Sequence, residues 1–334
     1  MKKKGKKILI GSGIVAAVTA AATAASYGVT KILMNVALDR NQPKASEKSK
    51  KKVSGSTVPD QTAGAREEAA EKLRNSNCET IEITAEDGER LVGHWHECDK
   101  AERIIVAMHG WRSSWCRDFG AIADFWHENH CSVLYAEQRG QGESGGEYMG
   151  FGLTERHDCL DWGNWADEKN EEGLPIYLAG ISMGAATVLM AAGLSLPENV
   201  HGIMADCGFT SPHDIWRHVV RDNLHLSYNS FVRKVATDMC KKKINVDPGE
   251  YSCVDAMKDC KVPVLFVHGS DDNFVPVQMT YENYKACAAP KRLLIVPGAE
   301  HAMSYLVDQE SYERTVKQFW AEFDQKTTIE NGGE

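Results

Sequence analysis

The sequence predicts an α/β protein, a mostly parallel sheet of eight strands with helices on both faces. Three observations predict it. From Cys78 onward, short apolar runs alternate with longer helix-type stretches. The pentapeptide Gly180-Ile181-Ser182-Met183-Gly184 lies between a strand-type run, residues 175–179, and a helix-type run, residues 185–192. Residue types able to serve as nucleophile, acid and base each follow an expected strand, the end at which open parallel sheets collect ligands.

Taken in order, the chain begins with Lys2, Lys3, Lys4, Lys6 and Lys7 and then an uncharged run, residues 8–29, rich in Ala, Val and Ile. That length is enough to cross a bilayer, so residues 1–38 are expected to form a single-pass N-terminal anchor. A cleaved signal peptide, with Ala22-Thr23-Ala24 as its site, and an Ala-rich soluble helix are the competing readings. Basic residues flank the run on both sides, but the densest cluster precedes it. The positive-inside rule then places the protein in the cell membrane with its main domain extracytoplasmic. Residues 39–77 are expected to be a flexible linker, with a short helix over 66–74.

The main domain is expected over 78–326 and a disordered tail over 327–334. Strands are expected at 79–84, 91–97, 103–108, 131–136, 175–179, 201–205, 262–267 and 292–296. Turn residues Glu86-Asp87-Gly88-Glu89 join the first two as a hairpin. Helices are expected at 118–129, 154–170, 185–192, 277–287 and 304–324. No internal repeat is present.

Charge excludes one class of function. Residues 1–52 hold 12 Lys/Arg against Asp39 and Glu47, yet the whole chain carries −9. The main domain is therefore strongly acidic and does not suit nucleic acid; the basic start suits an anionic membrane surface. The ten cysteines include no C-x-x-C pair, so they read as small buried hydrophobes and not as a zinc site.

A serine hydroxyl is a weak nucleophile until a base takes its proton, and that base needs an acid to hold its tautomer. The glycines of G-x-S-x-G let a strand and a helix meet at a sharp turn that presents Ser182. The run 264–267 leads into His268-Gly269-Ser270-Asp271-Asp272, and the run 293–296 leads into Pro297-Gly298-Ala299-Glu300-His301. The candidate triad is thus Ser182, Asp272 and His301. Asp271 and Asp206 are the competing acids; Asp272 fits the spacing Gly269-x-x-Asp272-x-x-Val275-Pro276. The oxyanion donors are expected to be the N–H groups of Met183, after the nucleophile, and Trp111, in the loop after the third strand.

These motifs resemble the α/β-hydrolase superfamily over about residues 79–325. The marks are His109-Gly110-Trp111, the turn Arg139-Gly140-Gln141-Gly142-Glu143-Ser144-Gly145-Gly146, G-x-S-x-G, His268-Gly269 to Pro276, and Glu300-His301. Within it the chain resembles membrane-anchored bacterial serine hydrolases of the YqkD type, on Ala205-Asp206-Cys207 and Glu300 to Tyr305. The resemblance implies the α/β-hydrolase fold with a small helical lid at about 210–261, cleavage of a small-molecule acyl ester through an acyl-enzyme, and neither metal nor organic cofactor. A peptidase or amidase of the same fold and a non-catalytic binding module are the alternatives. Glu137 stands where relatives carry Asp, and pairing with Arg139 is expected. His94 and His96 share a strand face without a carboxylate at ligating spacing, so no metal is expected there.

Overall fold

The computed structural model describes residues 22–41 and 62–325. Eight strands form one sheet: β1 Glu79–Thr84, β2 Arg90–His96, β3 Arg103–Met108, β4 Cys131–Glu137, β5 Ile176–Ile181, β6 Val200–Asp206, β7 Val264–Gly269 and β8 Lys291–Val296. Their spatial order is β1-β2-β4-β3-β5-β6-β7-β8. β1 and β2 are antiparallel, β2 is antiparallel to β4, and every other pairing is parallel. Each expected strand is present within two or three residues of its expected ends.

Period-two alternation sends side chains to opposite faces. Ile104, Val106 and Met108 of β3 enter one core; Ile105 and Ala107 enter the other. The first core is covered by α4 Glu155–Lys169 and α5 Met183–Ala191, and includes Trp162. The second is covered by α3 Trp115–Glu128 and α11 Gln309–Phe323, and includes Phe119, Tyr135 and Trp320. α2, Ala63–Arg74, packs on α3 so closely that a Cβ on Gly120 would sit 2.7 Å from the Ala69 backbone.

After β6 the chain forms α6 Pro212–His218, a π-helical turn Val219–Asn223, α7 Ser230–Ile244 and α8 Cys253–Asp259. This is the segment expected as a lid. α9 Val277–Ala286 follows β7. The stretch expected as one helix over 304–324 is two, Ser304–Val307 (α10) and α11, because the Asp308 carboxylate caps α11 by accepting from Ser311 N–H at 3.0 Å. Eight of the ten cysteines are buried and all ten are free.

The transmembrane anchor is not borne out. Among the described residues no helix is long and apolar enough to cross a membrane. With the anchor falls the assignment to the cell membrane as a single-pass protein with an extracytoplasmic domain. The expected run up to residue 21 lies outside the described residues, as do 42–61 of the expected linker and the tail 327–334. What is described, helix α1 over 22–38, packs on the domain: Met34 and Leu38 belong to the first core. A helix that buries an apolar face in protein and one that buries it in lipid draw on the same residues, and composition alone did not separate them.

Candidate active site

The elbow is built by close approach. Ser182 has φ 58° and ψ −115°, a left-handed backbone that non-glycine residues adopt at a cost. A Cβ on Gly180 would lie 2.3 Å from the Gly184 carbonyl oxygen, and one on Gly184 would lie 1.8 Å from that of Met108. No side chain fits at either position, so both glycines are required for β5 to turn into α5.

Loops after β7 and β8 bring the other two expected groups to Ser182. His301 Nε2 lies 2.8 Å from Ser182 Oγ, and His301 Nδ1 lies 2.6 Å from Asp272 Oδ2. Asp272 Oδ1 accepts from the N–H groups of Phe274 and Val275, each at 2.8 Å. Burial by itself would raise the Asp272 pKa. The charge of His301 and the hydrogen bonds from His268 and His301 outweigh it and hold the carboxyl well below the usual range. Burial disfavours the His301 imidazolium, but the Asp272 carboxylate overcomes that and raises the His301 pKa.

Of the competing acids, Asp271 is exposed and its Oδ1 accepts from Ser270 Oγ at 2.6 Å. Asp206 is buried and accepts from Ser304 Oγ at 3.1 Å; burial pushes its pKa up to about 6. Its backbone carbonyl also accepts the Ser182 N–H at 2.9 Å.

Trp111 and Met183 both border the cavity that reaches Ser182. Met183 opens α5, where the first N–H groups have no partner inside the helix. The loop carrying Trp111 is tied down by Asp118, whose Oδ2 accepts the Gly110 N–H at 2.7 Å and whose Oδ1 accepts from Ser113 Oγ. His109 is fully buried, with Nδ1 donating to the Gly110 carbonyl at 2.8 Å and Nε2 accepting from Gln138 N–H at 3.2 Å. Burial lowers its pKa, so it is a neutral brace for the loop.

Several site residues were missed by the sequence. His268 Nε2 donates to the Val275 carbonyl at 2.8 Å and faces Asp272 Oδ2 at 3.2 Å, giving the acid a second imidazole partner. Its place beside Gly269 in the motif was the available signal. Phe274 sets its ring edge-on to His301 at 4.9 Å. Glu137 does not pair with Arg139. It lies 2.9 Å from His94 Nε2 and accepts the Glu143 N–H, while Arg139 pairs with Asp158 and, at 2.6 Å, with Asp87. His94 stacks on Trp115 at 4.2 Å and His96 on His127 at 3.5 Å.

The cavity is walled by Ile215, Trp216 and Val220 of the expected lid, by Phe209, and by α1 residues. It holds about 810 Å³ of empty space counted to its open mouth.

Comparison with known proteins shows what the chain is similar to. Residues 99–243 match the family described as serine aminopeptidase, S33 (Hydrolase_4). The YqkD protein of Bacillus subtilis is 31% identical over 189 residues, 56% of this chain and 61% of YqkD; the chain thus spans less than two thirds of that relative's length. YfhR of Escherichia coli is 24% identical over 67% of this chain and 74% of its own. The Pyrococcus furiosus esterase Pf2001 has the same fold, with a TM-score of 0.62 at 20% identity, covering 80% of this chain and 97% of that one. Est1E of Butyrivibrio proteoclasticus, solved with ferulic acid, matches at TM-score 0.55 and 20% identity over 73% of this chain and 98% of its own.

Proposed function

Because the chain belongs to the α/β-hydrolase superfamily, we propose that it is a serine hydrolase cleaving a carboxylic ester through an acyl-enzyme. Ser182 Oγ attacks the acyl carbonyl while His301 Nε2 takes its proton. Asp272 holds His301 in the tautomer that presents Nε2 as acceptor and stabilises the imidazolium that forms. The N–H groups of Met183 and Trp111 receive the oxyanion. His301 then returns the proton to the leaving alcohol. A water, deprotonated by the same imidazole, attacks the ester on Ser182 and releases the acid.

The observation that carries this reading is the unbroken hydrogen-bonded line Asp272–His301–Ser182. It also weighs against a non-catalytic binding module, which has no use for a strained serine in contact with a base. The S33 match favours a second reading, an aminopeptidase. That chemistry calls for a carboxylate to receive the substrate's α-ammonium. The described residues lining the cavity include no acidic side chain, which favours the ester.

A fluorophosphonate probe tests the reading. We expect one adduct, on Ser182, lost in Ser182→Ala and blocked in His301→Ala. Turnover of p-nitrophenyl esters ahead of aminoacyl amides supports the esterase. An unlabelled wild-type chain overturns the hydrolase.

A further inference from the structure

The N-terminal helix is part of the pocket. Thr30, Leu33, Met34 and Ala37 are spaced by three and four residues, share one face of α1, and line the same cavity as Ser182 and Met183. The helix is held there by its C-terminal carbonyls. Trp111 Nε1 donates to the Ala37 carbonyl at 2.9 Å, and Arg112 donates to Val36 O at 2.6 Å and also to Asp39 O. Cationic donors at a helix C-terminus satisfy otherwise unpaired carbonyls. Beyond the helix, Arg40 N–H donates to Glu147 O at 2.8 Å and Met149 N–H to Leu38 O at 2.7 Å; Lys243 pairs with Asp39. Three separate stretches of the domain, residues 111–112, 147–149 and 243, therefore grip a segment that composition assigned to lipid.

Resting on the serine-hydrolase reading above, we propose that residues 22–41 are the fixed wall of the acyl pocket, and that this wall sets the length of the uncharged, unbranched acyl chain the enzyme accepts. The occupant follows from the lining. Leu33, Met34 and Ala37 on one side and Phe209, Trp216 and Val220 on the other are all apolar. A charged chain would lose its hydration there without a charged partner, and the cavity runs from the nucleophile, where the acyl group is attached. Each methylene covered raises the specificity constant about fourfold, until the chain meets the wall.

The test uses the full chain and alkyl fluorophosphonates from butyl to dodecyl. Ser182 Oγ bonds to phosphorus, fluoride leaves and His301 takes the hydroxyl proton, so each probe reports one alkyl length without turnover. Wild type is expected to show a rate that climbs with chain length and then falls. Leu33→Trp should move the peak to shorter chains and lower the dodecyl-to-butyl rate ratio at least about tenfold. Leu33→Ala should move the peak to longer chains. Opposite shifts from one position are not a folding defect; should Leu33→Trp fail to fold, Ala37→Leu narrows the same face. Identical profiles in wild type and variants, with Ser182 still modified, overturn the wall and leave the hydrolase standing. No Ser182 adduct with any probe in wild type overturns both.

Discussion

The elbow and the N-terminal wall meet across one cavity, yet they are made by opposite means. The elbow is specific at the level of single atoms: a strained Ser182 between two glycines that admit no Cβ. The wall is generic at that level, a helix whose apolar face and terminal carbonyls dock onto groups drawn from far along the chain. One arrangement admits no side chain at Gly180 or Gly184. The other spreads its contacts and tolerates the loss of one. On the proposed reading, chemistry is placed where the backbone has no freedom, and substrate fit where side chains are free to vary.

The largest effect expected from breaking this contrast is at the nucleophile. Ser182→Ala should lower kcat by at least about 10⁵-fold, roughly 7 kcal/mol of transition-state stabilisation, with an unchanged circular dichroism spectrum. Next comes the acid. Asp272→Asn should lower kcat by about three to four orders of magnitude, against less than about tenfold for Asp271→Asn, whose exposed charge contributes little to the barrier. Kinetics on the pair, with Asp206→Asn beside them, decide which carboxylate serves the base.

The same variant sharpens the electrostatics. His301 accepts a proton only when neutral, and Asp272 raises its pKa, so kcat/KM should fall with acidification through a midpoint above that of an ordinary imidazole. In Asp272→Asn the raising charge is gone, and the midpoint of the residual activity should move to lower pH. A midpoint that stays put would mean that another group governs the acid limb.

Gly184→Ala should lose folded protein, since the new Cβ would meet the Met108 carbonyl at 1.8 Å; a cost above about 4 kcal/mol is expected, read as loss of a cooperative thermal transition. At the wall, Lys243→Ala removes one partly exposed ion pair to Asp39. It should cost about 1 kcal/mol or less and lower Tm by no more than about 2–4 °C. A large Tm loss at Lys243 would erase the contrast between the two regions.

That contrast also explains what was legible in the sequence. The elbow, the strand ends and the spacing from Gly269 to Pro276 are local patterns, and the chain brings Ser182, Asp272 and His301 together as those patterns imply. α1 was misjudged because its partners, Trp111, Arg112 and Lys243, lie about 70 to 200 residues away, and no window of sequence contains both sides of the contact. The expected pairing of Glu137 with Arg139 failed for the same reason: Glu137 meets His94 diagonally across the β2–β4 ladder, whereas Arg139 is merely near in sequence. α3 begins earlier than expected because Ser114 caps it by accepting the Arg117 N–H, three residues before the run that signalled a helix.

The distances along the chain that hid α1 have a consequence for synthesis. Domains fold as they emerge from the ribosome, amino-terminal parts first. Leu33, Met34 and Leu38 appear long before Trp111 and Arg112 exist to receive them. The nascent chain therefore carries this apolar segment without its partners until Trp111 and Arg112 follow, 74 and 76 residues after the carbonyls they hold. Ser182 likewise waits for His301, 119 residues further along, before its hydroxyl has this partner.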